Sequence, residues 1–379
     1  MHTSIFRRAP FGLLALTLLM QPAGFSQSAK DLNLETGEQI FQAACAGCHA
    51  PDGAGQPEAV LGFEPPATFP DFSDCSSSSR EPTSHWSAMV HRGGLQRGFS
   101  AIMPAFGDAL TDDEISKVLA FVRTLCTDPN WPSGDFNLPR PLFTEKAFPE
   151  DELVLTTGFN TSLVAGVDTR LVYEKRLGAR TNFEMIVPGA LLKQSPKSST
   201  WLGGFGDVSV ELKRTLFAST KTGSIVALAG ELVLPTGDAG RGLGGGMTQL
   251  ESFVSYGQLL PSKSFLQMQA GAEGPYRRHQ LPAEVFWRAA VGRSFNQDGG
   301  FGRTWSPMLE LLTARDLKPG ARVEYDVVPQ MQITLNNRQH IRANIGFSIP
   351  TGNTAGRAKQ LVFYLLWDFF DGGLKDGWK

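Results

Sequence analysis

From about residue 151 onward, apolar and polar residues alternate over segments of about 10–14 residues separated by turn residues. Val323, Tyr325, Val327, Pro329, Met331, Ile333 and Leu335 form one face of such a segment, and Arg322, Glu324, Asp326, Gln330, Gln332 and Thr334 the other. Val208, Val210 and Leu212 oppose Asp207, Ser209, Glu211 and Lys213, and Ile341, Ala343, Ile345, Phe347 and Ile349 oppose Arg342, Asn344 and Ser348. Before residue 151 the pattern is different. Ile115, Val118, Leu119, Val122 and Leu125 recur at helical spacing, behind a capping box at Thr111-Asp112-Asp113-Glu114. A second box, Thr36-Gly37-Glu38-Gln39, opens a helix carrying Ile40 and Phe41. Residues 50–100 are rich in Pro, Gly and Ser and predict loops, whereas the proline-rich stretch 128–150 has little periodicity and predicts an extended linker.

A period of two with one apolar face fits a soluble sandwich or a membrane barrel. Sandwich strands run about five or six residues. These are about twice as long, the length that crosses a bilayer obliquely. The expected fold is therefore multidomain: a small all-α domain followed by an antiparallel transmembrane β-barrel of about 12 strands. Strands are expected to start near Leu153, Thr169, Asn182, Asp207, Ser224, Gln249, Phe265, Val285, Trp305, Arg322, His340 and Gln360. An even count puts both barrel ends on the periplasmic side. The alternate connections at 194–204, 236–246, 274–283 and 350–357 are then long, and those at 177–180, 219–223, 261–264 and 336–339 short. The stretch 296–303 is too long for its side and 317–320 too short. Twelve strands enclose a backbone cylinder roughly 24 Å across, whereas a domain of about 100 residues is at least about 30 Å across. The first domain is thus expected to hang beneath the barrel, and the lumen charges to pair with one another.

Length and composition agree with this division. A chain of 379 residues suits two domains. Its 41 glycines, 26 phenylalanines and 19% charged residues suit β-structure, and a net charge of −2 gives no electrostatic case for nucleic acid. Residues 1–26 have the form of a secretory signal: Arg7 and Arg8, an apolar run from Phe11 to Met20 too short to span a bilayer, and small residues at Gly24 and Ser26. The expected boundaries are 1–26 signal, 30–127 helical domain, 128–150 linker and 151–379 barrel.

The chemistry lies at Cys45-Ala46-Gly47-Cys48-His49. Two thiols at this spacing can each bond a haem vinyl group, and the adjacent imidazole then serves as an iron ligand. A zinc knuckle would want a second close ligand pair, but the other cysteines, Cys75 and Cys126, lie far away and far apart. A redox dithiol would sit in a βαβ unit, and none is visible. Met103, stiffened by Pro104 and placed just ahead of the closing helix, is the candidate sixth ligand, with His85 and His91 as alternatives. Phe72, Trp86 and Met89 are candidates to pack on the ring or simply in the core. In an oxidising compartment Cys75 and Cys126 either form a disulfide or remain independent thiols.

Residues 34–126, with Gly37 and Phe41 in the first helix, the Cys-x-x-Cys-His motif, Met103-Pro104 and an amphipathic closing helix, resemble a class I cytochrome c. The resemblance implies one covalent haem c attached at Cys45 and Cys48, His49 and Met103 as axial ligands, and one-electron transfer. The second half resembles the outer-membrane barrel family linked to the phenol-degradation meta pathway. That likeness rests on Gly206-Asp207-Val208-Ser209-Val210, Leu234-Pro235-Thr236-Gly237-Asp238 and Ile349-Pro350-Thr351-Gly352-Asn353. The chain departs from many outer-membrane proteins in ending Asp376-Gly377-Trp378-Lys379, beyond Phe369 and Phe370. The expected function is a monohaem electron carrier held at the outer membrane with its haem domain in the periplasm, where an unidentified redox partner would meet it. The alternatives are a channel with an accessory or gating cytochrome, and electron export across the barrel. An enzyme is not expected, because a sixth ligand closes the iron to substrate.

Overall fold

The computed structural model describes residues 34–369 apart from 67–68, 161–165, 194–199, 277–281 and 297–301; the expected signal at 1–26 and the tail from Phe370 lie outside the described residues. The first domain contains helices α1 (Gly37–Ala44), α2 (Ala46–His49), α3 (Glu58–Leu61), α4 (Cys75–Ser78), α5 (Thr83–Arg92) and α6 (Asp112–Leu125). Both capping boxes close: the Thr36 hydroxyl accepts from the Gln39 N–H, and the Thr111 hydroxyl from the Glu114 N–H. Each satisfies orphan donors of a first helical turn. Ile40 and Phe41 of α1 pack against Ile115, Val118, Leu119 and Val122 of α6 in one buried cluster. The crossing is close because Gly37 has no side chain. A Cβ there would stand 2.0 Å from the main-chain oxygen of Lys117. Gly37→Ala should therefore force the helices apart and cost about 1–3 kcal/mol. Denaturant unfolding followed by haem absorbance would measure this, and a loss below about 0.5 kcal/mol would contradict the close-crossing account.

The second domain is a closed barrel of twelve antiparallel strands. They are β1 (Glu152–Asn160), β2 (Gly166–Arg176), β3 (Thr181–Lys193), β4 (Trp201–Phe205 continued by Ser209–Ser219), β5 (Ser224–Val233), β6 (Gln249–Leu260), β7 (Ser264–Pro275), β8 (Glu284–Arg293 continued by Phe295–Asn296), β9 (Thr304–Asp316), β10 (Glu324–Thr334), β11 (Ile341–Gly352) and β12 (Gln360–Asp368). Both parts of β4 pair with β3, and both parts of β8 with β9. Closure comes from β1 on β12, in register from Glu152↔Asp368 to Asn160↔Gln360.

The alternation points inside-out relative to a soluble protein. Leu155, Leu171, Met185, Leu212, Leu228, Val254, Met268, Trp287, Leu309, Met331, Ile345 and Phe347 are exposed on the outer wall. Glu174, Glu184, Glu211, Lys213, Gln267, Glu310, Gln332 and Asn344 are buried toward the lumen. An outer wall of this kind is matched to lipid. No helix among the described residues is long and apolar enough to cross a membrane. The strand starts fall close to those expected, with two adjustments. Strand β4 begins at Trp201, and breaks where Asp207 turns to accept from the N–H groups of Gly237 and Gly245 at 2.8 and 2.7 Å. Strand β10 begins at Glu324, not Arg322, so the connection before it is longer than 317–320.

Residues 128–150 correct the sequence reading. They join the two domains, but from Phe136 onward they occupy the barrel and do not form a free tether. The N–H groups of Leu142, Thr144 and Glu145 donate to Gln330, Glu310 and Gln269, at 3.0, 2.6 and 3.2 Å. The main-chain oxygens of Pro139 and Phe143 accept from Gln267 and Arg288 at 2.7 and 3.1 Å, and Tyr364 donates to that of Arg140 at 2.7 Å. Arg140 also pairs with Glu152 at 2.5 Å and with Glu174, and Lys146 with Glu150 at 2.5 Å and Glu152 at 3.3 Å. Apolar contacts complete the plug. Phe136 and Phe148 meet Ile225 and Ala227, Leu138 meets Phe265 and Met308, and Leu142 meets Val328, Val362 and Tyr364. Space for Leu142 exists because position 346 is glycine, where a Cβ would lie 2.7 Å from the Leu142 Cδ1. An irregular backbone is tolerated inside a membrane protein only when the surrounding protein satisfies it, and the polar lumen side chains do so here.

Candidate functional site

The Cys-x-x-Cys-His motif sits where α1 ends. Cys45 closes α1 with its N–H on Phe41 O at 2.8 Å, and the single turn of α2 carries Cys48 and His49. The N–H groups of Cys48 and His49 both donate to Cys45 O, at 3.1 and 2.9 Å. The two thiols are thereby held one turn apart, with the imidazole next in line. The chain then doubles back: Gly55 and Gln56 donate to the main-chain oxygens of His49 and Cys48, both at 2.9 Å.

His49 is 8% exposed, and its Nδ1 meets no hydrogen-bond partner among the described residues. Phe69 stacks parallel to its ring at 5.1 Å, and Phe72 leans on it at 4.9 Å. Burial lowers the His49 pKa to about 4, so the imidazole is neutral and its lone pair available. Burial, then the neighbouring Cys48, raises the Cys45 thiol to about 11. A buried neutral imidazole left partly unsatisfied by its protein surroundings, with two free thiols beside it, fits covalent haem c with His49 on the iron.

Met103, Phe72, Trp86, Phe106 and Cys45 pack against the same α1–α6 core. The fold thus gathers Met103 and the Cys-x-x-Cys-His motif around one core. The rival histidines are engaged elsewhere. His85 lies 2.6 Å from Glu81, and His91 Nε2 lies 3.8 Å from Asp112. Met89 is half-buried on α5. Cys75 and Cys126 are joined by a disulfide, which ties α4 to the end of α6. Beside it the Arg123 guanidinium lies 3.8 Å from the Trp86 ring and donates to the main-chain oxygens of Ser78 and Glu81 at 2.7 and 2.5 Å.

Several residues that matter here carry no sequence signal of their own. Phe69 lies in an aperiodic loop. Glu81 joins His85 and, across to the barrel, His340 at 2.9 Å. His340 belongs to the connection 335–340, at the barrel end where β1 begins. Arg80 reaches Asp151 at 2.7 Å at the same end. Burial would raise the Glu81 pKa, but His85 and His340 outweigh it and hold the carboxyl well below 4.5. A depressed carboxylate contributes stability above its unfolded pKa and loses it as pH falls through the folded value. Burial lowers the pKa of His85 beside it, and a buried neutral imidazole loses stability as pH falls below its unfolded value. Contact between the domains should therefore hold at neutral pH, begin to weaken below about pH 6.5 as His85 takes up a proton, and weaken further below about pH 4.5 as Glu81 does. Limited proteolysis of the 128–135 segment across that range would read the change. Equal protection at pH 7 and pH 3 would contradict it.

Comparison with known proteins agrees with this geometry. A family model described as cytochrome c oxidase, cbb3-type, subunit III matches residues 32–122. Cytochrome c6 of Picosynechococcus sp. (strain ATCC 27264 / PCC 7002 / PR-6) is 30% identical over 120 residues, which are 31% of this chain and 95% of that protein. Among solved structures, the chain is similar to an outer membrane channel from Pseudomonas putida F1, at 13% identity and a TM-score of 0.43, over 61% of this chain and all of that one. It is also similar to the NanC porin, at 12% identity and a TM-score of 0.41, over 57% of this chain and 98% of that one. Both scores are low, and the barrel rests on its own closure and wall pattern. With its haem-type motif, its helical core and a relative covered almost end to end, the chain belongs to the cytochrome c family through its amino-terminal domain.

Proposed function

We propose that this chain is a monohaem c-type cytochrome that carries single electrons in the periplasm and is anchored in the outer membrane by its barrel. Cys45 and Cys48 would hold the haem through thioether bonds, and His49 and Met103 would ligate its iron. When bound, the haem supplies the one-electron couple. The protein keeps His49 buried and neutral, sets the Met103 loop and fixes the domain at the barrel end. With His49 and Met103 both holding the iron, no position would be left open to a substrate, so the reading is electron transfer and no enzymatic activity is proposed. The partner would be a soluble or membrane-bound redox protein of the periplasm.

The observation that carries this reading over a channel is the plug. Residues 136–150 run through the lumen, with main-chain groups hydrogen-bonded to the wall and buried ion pairs. An anchor needs no open lumen, whereas a pore does. Export of electrons is disfavoured because one haem at one end of a wall about 25 Å tall offers no relay to the other side.

The test is a fractionation of cells, haem staining of the outer-membrane fraction, and planar-bilayer recording of the purified protein. Covalent haem in the outer membrane without conductance is expected. Stable conductance would turn the reading toward a channel, and haem confined to the soluble periplasm would end the anchor. Met103→Ala should convert the ferric haem from low-spin Met ligation to a high-spin or differently ligated form. An unchanged spectrum would remove Met103 as the ligand.

A further inference from the structure

We propose that the barrel connection between β10 and β11 is part of the haem site: Asn337 and Arg338 brace the loop that carries Met103 and act as positioning residues for the sixth ligand. This rests on the reading of Met103 as that ligand.

The Met103 loop is nearly closed on itself. Gly94 donates its N–H to Met103 O at 3.0 Å, and Phe99 donates to Gly94 O at 3.0 Å. The turn Gly94–Arg97 and residues Gly98 and Phe99 are the outbound leg of this loop, and Met103 closes it. There is little slack. A Cβ on Gly94 would lie 2.1 Å from Ser100 O and 3.3 Å from the Met103 Cβ. Movement of the outbound leg is therefore transmitted to the methionine.

The barrel grips that leg. Arg338 donates from Nη2 to Gly98 O at 3.3 Å, and its guanidinium stands 4.3 Å from the Phe99 ring centroid. In return, Arg97 donates from Nη1 to Asn337 O at 3.2 Å. Both arginines are buried, Arg97 at 3% and Arg338 at 6% exposure. Lone surface arginines are seldom so deeply covered. Both of these hydrogen bonds end on main-chain oxygens, so they fix the path of the backbone. A guanidinium over an aromatic face with water excluded adds a directional contact. The chain of contacts runs from Arg338 to Gly98 and Phe99, from Phe99 to Gly94, and from Gly94 to Met103.

The thioether is a weak, neutral iron ligand, and its hold depends on how little the loop must reorganise to present it. The barrel would then set how tightly Met103 stays on the iron, and hence the potential. The cytochrome domain alone lacks this half of its site.

The test uses full-length holoprotein in detergent. Exogenous imidazole competes with Met103 for ferric iron, and its binding is read by loss of the Met–iron charge-transfer absorption; the midpoint potential is measured alongside. Arg338→Ala and Phe99→Leu should each raise imidazole affinity about tenfold, equivalent to about 1.4 kcal/mol, and lower the potential. Arg80→Ala, which breaks the separate contact to Asp151, should change neither. Wild-type imidazole affinity in both brace variants would overturn the proposal, as would an equal effect of Arg80→Ala, because the effect would then belong to docking in general. Absence of the Met absorption from the wild-type protein would instead overturn the ligand reading on which the proposal stands.

Discussion

Replacing both Cys75 and Cys126 by serine is expected to destabilise the haem domain by about 4 kcal/mol. The bridge spans 51 residues of sequence. Closing such a loop in the unfolded chain falls between the values for short and long loops, about 3 and about 4.7 kcal/mol. The closed segment contains α5 and the Met103 loop, so the entropy it removes belongs to the part of the chain that carries the proposed sixth ligand. The proposed thioether bonds at Cys45 and Cys48 would lie outside this loop and could not substitute for it. Arg123 can in part, because it ties α6 to Ser78 and Glu81 through main-chain oxygens. The folded domain should therefore keep its shape, with the loss appearing as an earlier unfolding midpoint. Denaturant titration of the full-length protein, followed by haem absorbance, measures it. A loss under about 1 kcal/mol would show that Arg123 and the docking contacts already restrain the loop, leaving the bridge little to add.

The barrel was legible because its two environments demand opposite chemistry at every other residue. Met331 faces outward and Gln332 inward, and that contrast persists along each strand. The haem motif was legible because thiol spacing and the adjacent histidine are local. The plug was not. Phe136, Leu138, Leu142 and Phe148 follow no period, since their positions answer to the curved wall of the lumen and not to a helix or strand. Prolines among them suggested a tether. A warning was present all the same: a solvated linker has little use for four large apolar residues interleaved with Arg140, Glu145, Lys146 and Glu150. The contacts from Glu81 to His340 and from Arg97 to Asn337 were hidden for another reason. Their partners lie 259 and 240 residues apart, and nothing local announces either end.

Arg140→Ala is the corresponding test of the plug, and its expected effect is as large. Arg140 is 5% exposed and stands between Glu152, Glu174 and Glu145. These carboxylates come from the wall and from the plug itself, so one guanidinium joins β1, β2 and residue 145. Its own main-chain oxygen accepts from Tyr364 and Asn344, which fixes it on the side of β11 and β12 as well. Removing one member of a buried ion pair leaves its partners charged and desolvated, at a cost of about 3–5 kcal/mol. The barrel wall, held by its closed ladder of main-chain hydrogen bonds, has no need to unfold to relieve this. The cheaper relief is for the segment 136–150 to withdraw and admit water to the acids. Arg140→Ala should therefore make that segment sensitive to added protease and raise the conductance of the protein above that of the wild type. Adding Glu152→Gln and Glu174→Gln should restore part of the protection, because two of the three carboxylates that Arg140 compensates are then neutral and only Glu145 keeps its charge. Persistent protection in Arg140→Ala would mean that the apolar contacts of Phe136, Leu138, Leu142 and Phe148 hold the plug without the ion pairs. Protease sensitivity without conductance would mean that the lumen stays closed by its own side chains, and the barrel would be an anchor whether or not the plug is seated.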